Sequence, residues 1–275
     1  IYPSPDKDFG YDVADYCDVD PLFGNLDTFD RLLDAAHTRG MKVIIDWVPN
    51  HTSDQHAWFR ESRSSRDNPK RASYIWRDAK PDGSLRQTWG SVFGGTAWTL
   101  DHQTGQYYLH QFVREQPDLN WRNPQVVEAM LETLRFWLRR GVDGFRMDVI
   151  SMILKDASLR DNPLNPNASP HLRANDLYGR LLHVFNQDQD DIHPLLRQIR
   201  QVLDEFSTPD APRCSIGELW QDLPRWVRYY GEQGNELHMP FNFHLMSTPW
   251  EAAAIQRHVD EMEAILPAFA WPNYV

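Results

Sequence analysis

The 275-residue chain predicts an α/β fold built on a parallel sheet. The first reason is a repeated unit of helix, glycine, strand and acid. Arg39-Gly40 leads into a strand that closes near Asp46, and Arg140-Gly141 into one that closes at Asp148. Short helix-to-strand turns between such units mark a parallel sheet. The second reason is the β-branched run within residues 41–47, apolar enough for a strand covered on both faces. An open doubly wound sheet and a TIM barrel both satisfy these observations. In either, the functional face lies where the strands end.

The elements follow in order. Leu26, Phe29, Leu32, Leu33 and Ala36 recur at helical spacing, with Asn25 or Asp27 as cap and Gly40 as stop. The strand at 41–47 comes next. Asn123 caps a second helix and Pro124 opens it. Val127, Met130, Leu131, Leu134, Trp137 and Leu138 form its inner face, Gly141 ends it, and 142–149 is a strand. A helix at 194–206 leads to a strand at 213–217, followed at once by Glu218. Residues 237–246 and 268–275 read as strands on either side of a helix at 250–264. Two long excursions leave the strand-end face. Residues 51–122 exceed a loop and are too rich in Trp, Gly and polar residues for a helix pair, so they read as an inserted subdomain. Residues 151–190 are rich in Pro and Asn near 162–170.

Composition narrows the function. The chain is 41% hydrophobic and 24% charged, ordinary for a globular protein, and its mean hydropathy is -0.61. The longest apolar run, 264–272, falls well short of a membrane span and contains two prolines. A formal charge of -11 repels polyanions and the sequence shows no basic cluster, which argues against nucleic acid as a partner. Two cysteines, Cys17 and Cys214, exclude a disulfide framework and suit a reducing, cytoplasmic compartment. Aromatic residues at 12% fit a surface that stacks sugars. The chain opens at Ile1 and stops in the apolar stretch 271–275, so both ends read as cut from something longer.

Two acids carry the chemistry. Arg146 and Asp148 are two apart in a strand and face the same way. A neighbouring Arg lowers a carboxyl pKa and keeps it ionised, as a covalent nucleophile requires. Glu218 stands beside Leu219 and Trp220, surroundings that raise a carboxyl pKa and suit a general acid. One ionised and one protonated carboxyl flanking an acetal is the apparatus of glycoside hydrolysis, with about 5–5.5 Å between the groups in a retaining enzyme. Asp46 and Asn50 read as loop-building, and His51 as a ligand contact. His51 and His56 alone are too few ligands for a metal. Dinucleotide, P-loop, serine-elbow and zinc-protease motifs are absent.

Asp46-Trp-Val-Pro-Asn-His51, Gly144-Phe-Arg-Met-Asp148 and Gly217-Glu-Leu-Trp220 resemble three ordered motifs of the α-amylase family, family 13 of the glycoside hydrolases. Gln116-Pro-Asp-Leu-Asn120 resembles the marker of its oligo-1,6-glucosidase and α-glucosidase branch, and Asp8-Phe-Gly-Tyr11 the segment after the second barrel strand. The resemblance implies a partial TIM (β/α)8 barrel with a subdomain inserted after strand 3. Residues 1–50 would be the first barrel part, from the end of strand 2 to strand 3. Residues 51–122 would be the subdomain, and 123–275 the second barrel part. Strands 3 to 7 would then be 41–47, 142–149, 213–217, 237–246 and 268–275.

By resemblance, Asp148 is the nucleophile and Glu218 the acid/base of a retaining mechanism, with Arg146 holding Asp148. Asp8, Tyr11 and His51 would hold or stack on the glucosyl unit, and Asn50 would support its loop. Val149, just after the nucleophile, hints at α-1,6 substrates. The implied protein is an exo-acting α-glucosidase that hydrolyses α-1,4 and/or α-1,6 bonds of short oligosaccharides. A glucosyl-transferring enzyme, a trehalose or sucrose isomerase, and a non-catalytic relative remain as alternatives. The implied partner is a small α-glucoside, with neither nucleic acid nor membrane. No cofactor or metal is expected, because Val149-Ile150-Ser151 stand where the family's subdomain calcium site uses a His. A second calcium loop and the third catalytic Asp would fall outside residues 1–275, so the chain is expected to be a fragment without turnover of its own.

Overall fold

The computed structural model describes residues 1–85 and 88–274. In chain order the helices and strands are α1 (Leu26–His37), β1 (Ile44–Trp47), α2 (Ala57–Ser64), β2 (Trp76–Asp78), β3 (Trp98–Asp101), β4 (Gln106–Leu109) and α3 (Pro124–Arg139). Then come β5 (Gly144–Met147), α4 (His193–Glu205), β6 (Cys214–Gly217), α5 (Leu223–Trp226), β7 (Met239–Pro240), α6 (His244–Ser247) and α7 (Ala252–Ile265). They divide between two compact units. One comprises Ile1–Leu32, Val48–Thr133 and Met152–Gln189, the other Leu33–Trp47, Leu134–Ser151 and Asp190–Val275. No described helix is long and apolar enough to cross a membrane.

The second unit holds the predicted parallel sheet, in the order β1-β5-β6-β7. Its register pairs Asp46 with Arg146 and Arg146 with Ile216, then Trp47 with Met147 and Met147 with Gly217. The ladder runs one step further, with the Asp148 N–H donating to the Trp47 carbonyl (2.9 Å) and the Glu218 N–H to that of Met147 (2.9 Å). The strands therefore end level, and the two acids leave the sheet side by side. Gly217 lets β6 sit this close to its cover, because a Cβ there would lie 2.4 Å from Leu237 Cδ1. Trp137, Phe145, Met147 and Leu203 are fully buried in this unit's core.

Local signals account for the helix boundaries. Asn25 Oδ1 accepts from the Thr28 N–H (3.0 Å) while Thr28 Oγ1 accepts from the Asn25 N–H (2.7 Å), a reciprocal cap for α1. Gly40 takes φ +71°, and the Met41 N–H closes on the Ala36 carbonyl (3.0 Å). Asn123 Oδ1 accepts from the Gln125 N–H (3.0 Å) at the start of α3.

Three strand expectations need correction. Residues 237–246 pair with β6 only over Met239–Pro240, then turn into α6. Pro240 has no N–H to extend the ladder. Residues 268–274 form no strand, and Val275 lies outside the described residues. Pro267 and Pro272 remove ladder donors there, and the Trp271 carbonyl accepts from the Tyr230 hydroxyl instead (2.7 Å). Residues 1–25 contain no strand, so the expected end of a second barrel strand is absent among them.

The first unit contains an antiparallel sheet in the order β2-β4-β3. Ile75, Trp89, Ala97, Trp98, Leu109 and Leu159 pack together as its hydrophobic cluster. His56 caps α2 through Nδ1, which accepts from the Trp58 N–H (3.1 Å).

Candidate active site

In the parallel-sheet unit, Arg146 sits among three carboxylates. Its Nη1 donates to Asp148 Oδ1 (2.8 Å) and to Asp46 Oδ1 (2.8 Å), and its Nη2 to Glu218 Oε2. Alternation along β5 puts Arg146 and Asp148 on one side, as expected, and parallel pairing brings Asp46 level with them. Asp148 is 7% exposed. Asp148 and Glu218 thus bond the same guanidinium.

The charge state differs from the sequence expectation. Burial pushes Asp148 up to about 8, Arg146 pulls it down, and the charge and hydrogen bond of Glu218 push it further up, as does Asp46. One guanidinium does not outweigh burial plus two neighbouring acids, so Asp148 keeps its proton well above the ordinary carboxyl range. Burial also works against the Arg146 charge, yet Asp148, Glu218 and Asp46 hold its pKa above the ordinary value.

The backbone after Asp148 is strained. Val149, a β-branched residue, takes φ +36°. The turn aims two successive N–H groups at Glu218. That of Val149 points to Oε2 (3.4 Å), and that of Ile150 donates to the carbonyl (3.0 Å).

The other unit gathers Asp8, Tyr11 and His51. His51 is 1% exposed. Asn50 Nδ2 donates to its Nδ1 (3.1 Å), which leaves Nε2 to donate to the Tyr11 carbonyl (3.2 Å). Gln116 Nε2 lies 3.0 Å from that Nε2 and donates to Asp8 Oδ2 (2.9 Å). Burial is the main reason the His51 pKa falls to about 4, with Lys155 adding to the fall and Asp118 opposing it. The ring is therefore neutral over the physiological range.

Sequence reasoning missed several of these residues. Buried Lys155 donates to Asn50 Oδ1 (2.7 Å) and pairs with Asp118 Oδ2 (2.8 Å), which fixes the amide that orients His51. Asp12 Oδ1 accepts from the Asp8 N–H (3.0 Å) and shapes the loop that carries Asp8. Asp46, assigned to loop-building, is an ion-pair partner of Arg146. Gln116 and Asp118 lay inside a segment already singled out by its motif. Lys155 has no local signal, since its partners are far away in sequence.

The family model for the α-amylase catalytic domain matches residues 1–269. The chain belongs to the α-amylase family. It is 46% identical over 268 residues to a probable α-glucosidase of Rhizobium meliloti, covering 94% of this chain and 48% of that protein. It is 43% identical over 247 residues to an oligo-1,6-glucosidase of Heyndrickxia coagulans, covering 90% of this chain and 42% of that protein. The solved structure of the α-glucosyl transfer enzyme XgtA matches with a TM-score of 0.90 at 44% identity, over 99% of this chain and 51% of that one. The chain thus spans about half the length of the curated relatives it matches. In this α-amylase-family chain the four parallel strands belong to a partial (β/α)8 barrel, with Asp148 and Glu218 at their C-terminal ends.

Proposed function

We propose that the protein is a retaining, exo-acting α-glucosidase that hydrolyses α-1,4 and/or α-1,6 bonds of short oligosaccharides. The observation that carries this is the Asp148–Glu218 pair, joined through Arg146 at level strand ends. Asp148 attacks the anomeric carbon while Glu218 protonates the leaving oxygen. Glu218, then ionised, activates the water that releases glucose. An inverting pair stands roughly 6.5–9.5 Å apart to admit a water. Here both carboxylates bond the one Arg146 guanidinium, which supports the closer, retaining spacing of about 5–5.5 Å. The mechanism requires the acid proton on Glu218, which leaves Asp148 free as nucleophile. For Asp8, Tyr11 and His51 we propose substrate contact.

The test is hydrolysis of p-nitrophenyl α-glucoside by the full-length protein that contains this chain, with the product followed by NMR. α-Glucose should appear first, and Asp148→Asn should remove several powers of ten in kcat, each about 1.36 kcal/mol of barrier. β-Glucose appearing first, or a loss under about tenfold, overturns the assignment.

Similarity to XgtA, an α-glucosyl transfer enzyme, favours transfer as a second reading. Partition of the glucosyl group between water and an added sugar separates the two. For linkage we propose that Val149 favours isomaltose-type substrates through a packing contact worth about 1–3 kcal/mol. A strong preference for maltose that Val149→Ala leaves unchanged would remove this assignment.

A further inference from the structure

We propose that a cavity in the antiparallel-sheet unit, away from the acid pair in sequence and chemistry, binds a small phosphate monoester between Arg71 and Arg77. The cavity has a volume of about 670 Å³ and is lined by Arg66, Arg71, Arg77, Arg122 and Lys155 against Asp67 and Asp156. That volume is in the range of small-molecule sites, roughly 300–1,000 Å³. A cationic lining is notable in a chain of net charge -11.

Three of these charges are neutralised locally. Arg66 pairs with Asp78, Lys155 with Asp118, and Asp156 with Arg160. Arg71 and Arg77 are different. Among the described residues, Arg71 donates only to neutral groups: the Ser62 carbonyl (2.9 Å), Gln106 Oε1 (2.6 Å) and Thr104 Oγ1 (3.0 Å). Its guanidinium lies flat on the Trp76 ring, 3.3 Å from the centroid. Trp76 is in turn stacked on Phe59, with ring planes 1° apart, so the guanidinium is held rigidly. Arg77 donates to the Ser158 carbonyl (2.8 Å), and its buried Nε has no hydrogen-bond partner among the described residues. Two half-buried guanidinium groups therefore face one cavity, and among the described residues no carboxylate hydrogen-bonds either, although Asp101 and Asp78 act on Arg71 from further off.

Burial works against the Arg71 charge, and an anion in the cavity would offset that cost. Planar guanidinium forks suit oxyanions in bidentate geometry, and two of them match the charge of a phosphate dianion. The polar wall of Gln106, Asn120 and Asp67 fits hydroxyl groups on the rest of the molecule.

The experiment titrates the protein with inorganic phosphate, glucose 6-phosphate, glucose and citrate. Tryptophan fluorescence, to which Trp76 contributes, and binding heat are the readouts. Phosphate should bind saturably and glucose 6-phosphate more tightly. Arg77→Gln and Arg71→Gln should each weaken both by about tenfold or more, whereas Asp148→Asn should leave them unchanged. The absence of a saturable response at millimolar phosphate overturns the proposal. So does an affinity indifferent to Arg71 and Arg77, a response lost in Asp148→Asn, or citrate binding better than glucose 6-phosphate. Arg71 also ties together Ser62, Thr104 and Gln106. If Arg71→Gln fails to fold by circular dichroism, Arg77→Gln decides the matter.

Discussion

Asp148→Asn should stabilise the fold while removing turnover, and the gain should grow with pH. Asp148 is nearly fully buried and shares a guanidinium with Asp46 and Glu218. Burial, opposed by Arg146 and reinforced by Glu218, raises its pKa from 3.8 to about 8. An unfolded chain releases this proton near 3.8, whereas the native chain keeps it until about 8. Between those values the native state holds one more proton than the unfolded state. This contribution to stability is full below the unfolded pKa and is lost as pH rises, at about 1.36 kcal/mol per pH unit. At pH 7, about three units above the unfolded value, the ceiling on the loss is about 4 kcal/mol. Asparagine keeps the shape and an acceptor for Arg146 but has no charge to bury. It also gives up part of the attraction to Arg146, so the net gain at pH 7 should be about 1–3 kcal/mol. Urea unfolding of both proteins from about pH 5 to about pH 8 measures it. A stability difference that stays flat, or shrinks as pH rises, would refute the reasoning.

Three further outcomes are expected. Arg146→Met removes the cation shared by three acids, so the acid limb of the kcat/KM profile should move up by about one pH unit or more. An unmoved limb in the pH–rate profile would exclude Arg146 as the group that sets it. Lys155→Met leaves Asp118 buried without its ammonium, at a cost of about 3–5 kcal/mol in chemical denaturation. Lys155→Met combined with Asp118→Leu should recover part of that loss, and strict additivity would contradict the pairing. His51 titrates near 6.5 when unfolded but is lowered to about 4 in the fold. Its stabilising share is thus full above the unfolded value and is lost as pH falls through that window. NMR should find the His51 ring neutral above pH 5, and His51→Gln should flatten the acid-side loss by up to about 1.36 kcal/mol per unit.

The helix–glycine–strand units were legible because both of their ends are written locally. Asn123 and Pro124 start α3, Gly141 with φ +102° stops it, and β5 begins three residues later. Residues 237–246 and 268–274 misled because an apolar pattern says nothing about whether a neighbour offers a ladder. Pro240, Pro267 and Pro272 withhold donors from one. The antiparallel sheet of the first unit was invisible for another reason. Its strands are three or four residues long, too short for an alternation of period two to stand out.

The positions of the acids were legible and the surroundings that bear on their protonation were not, and the difference is one of range. Asp148 and Glu218 announce themselves by position, each directly after an apolar strand. Arg146, two residues before Asp148, is a local neighbour and by itself predicts an ionised nucleophile. The remaining partners are distant: Asp46 lies 100 residues from Arg146 in sequence, and Glu218 lies 72 away. Only the register of β1, β5 and β6 sets three negative charges against one positive charge. A buried group with that imbalance lowers its energy by keeping a proton. Proton retention at Asp148 is therefore a departure from the ionised group that Arg146 alone predicts. Among the described residues, Arg146 is the one cation that register sets against all three acids, and it only partly offsets the burial of Asp148.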